Sequence, residues 1–233
     1  MNYFVSAVIV AAGNSSRMGD NVNKQFIKLD DMPVLLHTAK AFQESDIINE
    51  IIVVCLEKDI DKIYNLFSKG CITKLSKVVK GSTTRQKSVE CGIKEIDKMC
   101  THIAIHDGAR ALILPGKINE IVKDSFVHNA SAAAVPVKDT IKIVDKNQFI
   151  ISTPERSTLF AVQTPQVFEK NLYLKALQQA NSEKNDYTDD CQLVENIGHK
   201  VHLCVGDYNN IKITTPEDIN IALNIIKTRK EEK

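Results

Sequence analysis

The eight residues Val5-Ser6-Ala7-Val8-Ile9-Val10-Ala11-Ala12 are apolar at nearly every position and rich in β-branched side chains, and at Gly13 the character changes at once. A strand with one face in water would alternate. A continuous apolar run suits a strand buried on both faces, as in a parallel sheet covered by helices. It is followed by Gly13-Asn14-Ser15-Ser16-Arg17-Met18-Gly19 and then Lys24-Gln25. A buried strand that opens into a small polar loop presents backbone N–H groups at the carboxyl end of the sheet, where open α/β sheets take their ligands. Such amides favour anions, and Arg17 and Lys24 add two cationic side chains to the same stretch. A polyphosphate is the simplest ligand for this arrangement. The alternative is a tight turn at Gly13 with two solvated surface charges. Neither G-x-G-x-x-G nor G-x-x-x-x-G-K-[ST] occurs, so the dinucleotide and Walker-type phosphate loops are excluded.

The strand-then-helix alternation continues through the first half of the chain. Pro33 opens an amphipathic helix through Phe42, and Ile51-Ile52-Val53-Val54-Cys55 is a second buried strand. Apolar spacing predicts a helix over 57–69, closed by Gly70. Lys77–Lys80 reads as a short strand ending at Gly81, Thr84 to Ile96 as a helix, and Ile103–His106 as a strand ending at Asp107-Gly108-Ala109-Arg110. A helix from Pro115 or Gly116 to about His128 and a strand at 132–137 follow. Repeated β-then-α units argue an α/β fold: a mostly parallel sheet with helices on both faces. Right-handed crossovers then place Gly13, Gly81 and Asp107 on one rim.

After Val137 the pattern changes. Thr140-Ile141-Lys142-Ile143-Val144 alternates, Asp145-Lys146-Asn147 turns, and Phe149-Ile150-Ile151-Ser152 returns. This reads as a β-hairpin projecting from the body at about 138–160. An apolar projecting hairpin needs a partner, which makes it a candidate dimerisation arm. Helices at 168–180 and 189–196 and strands at 200–205 and 210–213 complete the prediction, with Thr215-Pro216-Glu217-Asp218 opening the last helix. No repeat or linker divides residues 1–233, so one domain with an arm is expected.

A net charge of +1 gives no bulk attraction to nucleic acid or to an anionic membrane, so any anion site is local. No apolar run approaches the ~20 residues needed to span a bilayer. The apolar stretch at the start lacks a basic lead and is needed as a strand, which argues against a signal peptide. Six cysteines show no C-x-x-C pair and no zinc spacing, and Cys55 and Cys204 sit in apolar strand-like runs as buried thiols do. These features point to a reducing cytoplasm.

Several clusters can carry chemistry. Gly81-Ser82-Thr83-Thr84-Arg85-Gln86-Lys87-Ser88 either reads a base or ribose edge or is simply a capped helix start. Asp107 can hold Mg²⁺, which takes few carboxylates plus substrate phosphates, or can be a turn aspartate paired with Arg110. His106 reads as a positioned strand-end residue. Glu155-Arg156 lies at the base of the arm. Thr188 is a candidate N-cap, and Asp189 and Asp190 read as acids of a first helical turn rather than as metal ligands. Lys212, in an otherwise apolar strand, either snorkels or points into a charged site. No Ser/His/Asp set stands out and the histidines show no metal spacing. A phosphate monoester nucleophile needs no general base, because its second pKa is ~6. It needs positioning and charge cancellation.

In order along nearly the whole chain, the motifs resemble those of the 2-C-methyl-D-erythritol 4-phosphate cytidylyltransferase family. They are Ala11-Ala12-Gly13, Arg17-Met18-Gly19, Lys24-Gln25, Gly81 with Arg85-Gln86-Lys87-Ser88-Val89, His106-Asp107-Gly108-Ala109-Arg110, Asp139-Thr140-Ile141-Lys142, Gln163-Thr164-Pro165-Gln166, Thr188-Asp189-Asp190 and Asn210-Ile211-Lys212-Ile213-Thr214. The resemblance implies a Rossmann-like nucleotidyltransferase fold with a β-arm exchanged in a homodimer. It implies that CTP and a methylerythritol phosphate give a CDP-alcohol and pyrophosphate in non-mevalonate isoprenoid synthesis. Arg17 and Lys24 look like the residues that stabilise charge at the α-phosphorus. Ala12, Gly13, Gly81, Arg85 and Ser88 resemble nucleotide contacts, and Asp107 resembles the residue near Mg²⁺. Arg156, from the partner's arm, and Lys212 look like the residues that position the sugar phosphate, while Arg110, Thr140, Thr164 and Thr188 resemble the substrate pocket. The chain departs from the pattern at Ala111, where proline is usual, and at Asn14-Ser15-Ser16, which lacks a frequent second glycine. The related ribitol 5-phosphate enzyme of teichoic acid synthesis is the alternative substrate reading.

Overall fold

The structure, a computed structural model, describes residues 3–13, 18 and 23–232. Its centre is a seven-stranded sheet. The strands are β1 (Val5–Val10), β4 (Ile48–Cys55), β5 (Leu75–Lys80), β6 (His102–Asp107), β7 (Ala130–Pro136), β10 (Phe160–Glu169) and β11 (His202–Val205), in the order β11-β7-β10-β6-β1-β4-β5. All neighbours pair parallel except β10, which is antiparallel to both β6 and β7. The short strands β2 (Lys28–Leu29) and β3 (Met32–Pro33) pair with each other, as do β8 (Ile143–Val144) and β9 (Ile150–Ser152).

β1 shows why its run is apolar throughout. Val5, Ala7 and Ile9 face one core cluster and Val8 faces another, all fully buried. The first cluster takes its helical side chains from α1 (Val34–Glu44), α2 (Ile60–Lys69) and α4 (Pro115–His128). The second takes them from α3 (Arg85–Ile93), α5 (Lys170–Glu183) and α6 (Asp190–Glu195). Helices thus cover both faces, as the alternation predicts. The C-terminal helix α7 (Pro216–Glu231) closes a third cluster over Leu29, Leu112 and Ile213. Thr215 and Asp218 form its capping box, with Pro216 in its first turn.

The structure corrects the sequence reading in six places. β10 is a ten-residue strand that the reading lacks, because Gln163-Thr164-Pro165-Gln166 looks like a turn. Its pairing with β7 shifts register between Val162 and Gln166, so Pro165 needs no ladder N–H. The helix expected from 168 therefore starts at Lys170, since Phe168 and Glu169 still pair with β6. Residues 210–213 are not a strand: the segment is anchored by Ile213 N–H donating to the Ala109 carbonyl (2.9 Å) and by burial of Ile213 in the third cluster. The N-cap of α6 is Asp189, whose carboxylate accepts from Gln192 N–H, and not Thr188. Pro33 likewise precedes the first turn of α1 rather than opening it, and Cys204 is only half-buried.

Candidate active site

β1, β5 and β6 are parallel, so their carboxyl ends share a rim, and Gly13, Gly81 and Asp107 stand there together as predicted. Between them lies a cleft of about 340 Å³, lined by Ala12, Gly13, Lys24, Gln25, Ser82, Thr83, Thr84, Arg85, Ser88, Asp107 and Lys212 among others. The two loops approach closely at Gly81, where there is no room for a side chain. A Cβ on Gly81 would stand 2.5 Å from the Ala12 Cβ and 3.1 Å from the Ser88 Oγ. The Gly81 loop is tied to the first turn of α3. Ser82 N–H donates to Ser88 Oγ (3.0 Å), Ser88 Oγ donates to the Thr84 carbonyl (2.8 Å), and Thr84 Oγ1 caps the helix by accepting from Lys87 N–H (3.2 Å). A capped helix N-terminus therefore opens onto the cleft, which suits an anion. The capping reading of this loop holds, and the same loop lines the cleft.

Asp107 is the electrostatic centre. Lys212 Nζ lies 2.8 Å from its carboxylate, Arg85 Nε 3.3 Å and Arg110 Nε 3.9 Å. Burial alone would raise this carboxyl, but Arg85, Lys212 and Arg110 outweigh it and hold it well below the usual carboxylate range. Lys212 does not snorkel. Its segment is pinned by buried Ile213 on one side. On the other, buried Asn210 donates to the Thr164 carbonyl (2.9 Å) and accepts Arg110 Nη1 on its own carbonyl (2.7 Å). Arg85 is held from behind by Asp190 (2.6 Å), which also accepts from the buried Tyr173 hydroxyl (2.6 Å). Burial would lower the Arg85 pKa, but Asp190 and Asp107 outweigh it and raise it, so the guanidinium stays charged. Asp190 is thus more than a first-turn acid. No signal in the sequence gives this role, because it sits 105 residues from Arg85.

His106 lies behind the turn, fully buried, and burial pushes its pKa down to about 3. A neutral ring facing the Arg110 carbonyl with Nε2 (3.3 Å) must donate there, so Nδ1 accepts from Thr164 Oγ1 (3.0 Å). Thr164 Oγ1 in turn accepts the Asp107 N–H (3.1 Å). The chain of bonds clamps both ends of the 106–110 turn.

Lys24, Ala12, Gly13, Arg85, Ser88, Asp107 and Lys212 therefore line one cleft, and Gly81 shapes it. Arg110 and buried Thr164 support it from below. Thr188 is exposed and bonds to Gln192, while Thr140 and Arg156 are exposed on the arm, Arg156 donating to the Lys138 carbonyl (3.2 Å). Arg17 lies outside the described residues. Gln25, which the sequence reading gave no role, lines the cleft almost fully buried, and its Oε1 accepts no hydrogen bond among the described residues.

For a metal, Asp107 is the one carboxylate among the described residues lining the cleft, and three cations contact it. That donor set cannot cage a bare divalent ion. It fits Mg²⁺ as a single oxygen ligand to an ion carried in by phosphates, the mode this cation commonly uses.

A rim of glycine loops, a capped helix N-terminus and cations around one carboxylate defines an α/β protein that binds a polyphosphate or nucleotide. Comparison with known proteins narrows the class. The family model for IspD, 2-C-methyl-D-erythritol 4-phosphate cytidylyltransferase, matches residues 5–228. A relative of that name from Caldanaerobacter subterraneus is 49% identical over 94% of this chain and 96% of its own. One from Clostridioides difficile is 44% identical over 98% and 96%. The crystal structure of 4-diphosphocytidyl-2C-methyl-D-erythritol synthase from Anaerococcus prevotii superposes with a TM-score of 0.86 at 32% identity, over 97% of this chain and 96% of that one. The chain belongs to the 2-C-methyl-D-erythritol 4-phosphate cytidylyltransferase family and is a nucleotidyltransferase.

Proposed function

We propose that the cleft binds CTP with its triphosphate against the Gly13 and Gly81 loops. A phosphate oxygen of 2-C-methyl-D-erythritol 4-phosphate then attacks the α-phosphorus in line. The new P–O bond forms as the bond to the β-phosphate bridging oxygen breaks, releasing pyrophosphate and 4-diphosphocytidyl-2-C-methyl-D-erythritol. The family membership carries this reading to the substrates. The observation that supports the chemistry is the surplus of cations among the described residues: Arg85, Arg110 and Lys212 stand against Asp107 and Asp190, and Lys24 lines the same cleft. Lys24 and Arg17 are assigned to the charge at the α-phosphorus, and Lys212 to the incoming phosphate. No residue has to act as base, because the nucleophile is already largely dianionic at pH 7, and buried, neutral His106 is not placed to serve as one. Mg²⁺ held by Asp107 and the phosphates would neutralise charge on the leaving pyrophosphate.

Arg156 and Thr140 sit on the exposed arm, away from the lining of their own cleft. The hairpin leaves Ile143, Val144, Phe149, Ile150 and Ile151 exposed. Both facts support a homodimer in which each arm completes the partner's site. Six free cysteines, and the lack among the described residues of a helix long and apolar enough to cross a membrane, agree with a cytoplasmic enzyme.

The ribitol 5-phosphate reading is not favoured by the family match. Incubation with CTP, Mg²⁺ and each alcohol phosphate in turn separates the two. Pyrophosphate and a CDP-alcohol are expected from the methylerythritol substrate, and product from ribitol 5-phosphate alone would overturn the assignment.

A further inference from the structure

The cleft is not the only place where ligand-type side chains converge. Asp124 and His128 lie one turn apart on α4, so they share a face. Asn129, at φ 63°, ends the helix and turns the chain directly into β7. Parallel pairing sets Ser131 of β7 beside His202 of β11. This register brings Ser131 Oγ and His202 Nδ1 (2.8 Å) onto the same Asp124 oxygen, Oδ2. The other oxygen, Oδ1, faces His128 Nε2 at 3.8 Å. The two imidazoles stack with centroids 4.0 Å apart, and one ligand atom from each of the three side chains lies within 4.8 Å of the others. Two histidines and a carboxylate from α4 and β11 thus gather around one small volume.

We propose that Asp124, His128 and His202 bind one borderline divalent transition-metal ion of the zinc class. Imidazole and carboxylate donors suit Zn²⁺, Co²⁺ or Ni²⁺ rather than Mg²⁺, which prefers oxygen alone. Bonds of 2.0–2.2 Å in a tetrahedral site place ligand atoms about 3.3 Å apart; the 2.8 and 3.8 Å separations, each to a different Asp124 oxygen, bracket that spacing, and the imidazoles turn out of their 21° stack to aim both nitrogen lone pairs at one ion. Ser131, fully buried, donates to Asp124 and orients it, as outer-shell partners of metal ligands do. The site lies at the carboxyl end of α4, where the helix dipole favours a cation. Three protein ligands leave a position for water or another ligand.

The site is separate from catalysis by topology. β11 runs parallel to β7 and, through β10, in the same direction as β6. His202 begins β11, whereas Asp107 ends β6, so the two sites occupy opposite rims of the sheet.

The test uses the chelator-treated full chain without nucleotide. Calorimetric titration with Zn²⁺ should find one equivalent that millimolar Mg²⁺ does not displace. Co²⁺ should give ligand-field bands without thiolate charge transfer. His128→Asn and His202→Asn should each weaken Zn²⁺ binding at least ten-fold, and Ser131→Ala about ten-fold. Zn²⁺ should raise the melting temperature of the parent chain but not of the histidine variants, whose own melting curves report whether they fold. Unchanged affinity in both folded histidine variants, thiolate bands with Co²⁺, or no uptake by the parent chain would each overturn the proposal. The cluster would then be a hydrogen-bonded and stacked surface contact alone.

Discussion

His106 shows how a single residue shapes the site without touching ligand. It stays neutral in the native state down to about pH 3, whereas in the unfolded chain it takes a proton near 6.5. Between those values the unfolded state binds more protons, so stability rises with pH and is lost as pH falls below about 6.5. Asp107, whose carboxyl is depressed, adds a loss of the same direction only below about pH 4, where the unfolded carboxylate titrates. From pH 7 to pH 5 the His106 contribution should therefore fall by about 2 kcal/mol. Urea denaturation of His106→Gln beside the parent chain measures it: the variant's stability should depend less on pH by nearly one proton, and equal slopes would contradict a neutral buried ring. Lys24 belongs to the same scale but to catalysis. Lys24→Ala should lower kcat by about 10²- to 10³-fold, as loss of one charge-stabilising donor does, with little change in melting temperature.

At the scale of elements, the arm is the piece whose sequence and surroundings disagree. β8 and β9 form a two-stranded ribbon with five exposed large apolar side chains, which is marginal alone in water. If a second copy covers it, Phe149→Asp together with Ile150→Asp should convert a dimer to a folded monomer in analytical ultracentrifugation and abolish turnover. A complementation experiment tests residue sharing directly. Arg156→Ala and Lys24→Ala chains, each inactive alone, should on mixing recover about a quarter of parental activity, since a two-fold dimer of mixed composition holds one intact site. No recovery after confirmed subunit exchange would show that Arg156 acts within its own chain. α3 makes a contrasting case, because its role is local: Thr84 caps it, Ser88 ties it to the Gly81 loop, and its first turn faces the cleft.

For the whole molecule, the cationic rim is an arrangement that folding maintains against charge repulsion. Arg85 sits between two buried carboxylates, and deleting Asp190 would leave a guanidinium poorly compensated. Bringing in a triphosphate relieves the surplus. CTP at a hundred times its dissociation constant should stabilise the protein by about 2.7 kcal/mol, which is about 5–10 °C in melting temperature for a chain of this size. A smaller shift is expected with EDTA, because Mg²⁺ then no longer shares the phosphate charge. A thermal shift identical with and without Mg²⁺ would remove the metal from the nucleotide complex.

The layered α/β body, the rim positions of Gly13, Gly81 and Asp107, and the arm were all legible in the chain. They follow from patterns a few residues long: an unbroken apolar run, a glycine after a strand, an alternating hairpin. The reversal of β10 was not legible, because a strand interrupted at Pro165 looks like a turn until its two neighbours supply the hydrogen bonds. Nor was the pairing of Arg85 with Asp190, the use of Ile213 and Asn210 to aim Lys212, or the meeting of Asp124, His128 and His202. Local conformational preference acts between near neighbours, whereas a buried charge or an aimed side chain is settled by groups a hundred residues away that only the folded packing brings within a few ångströms.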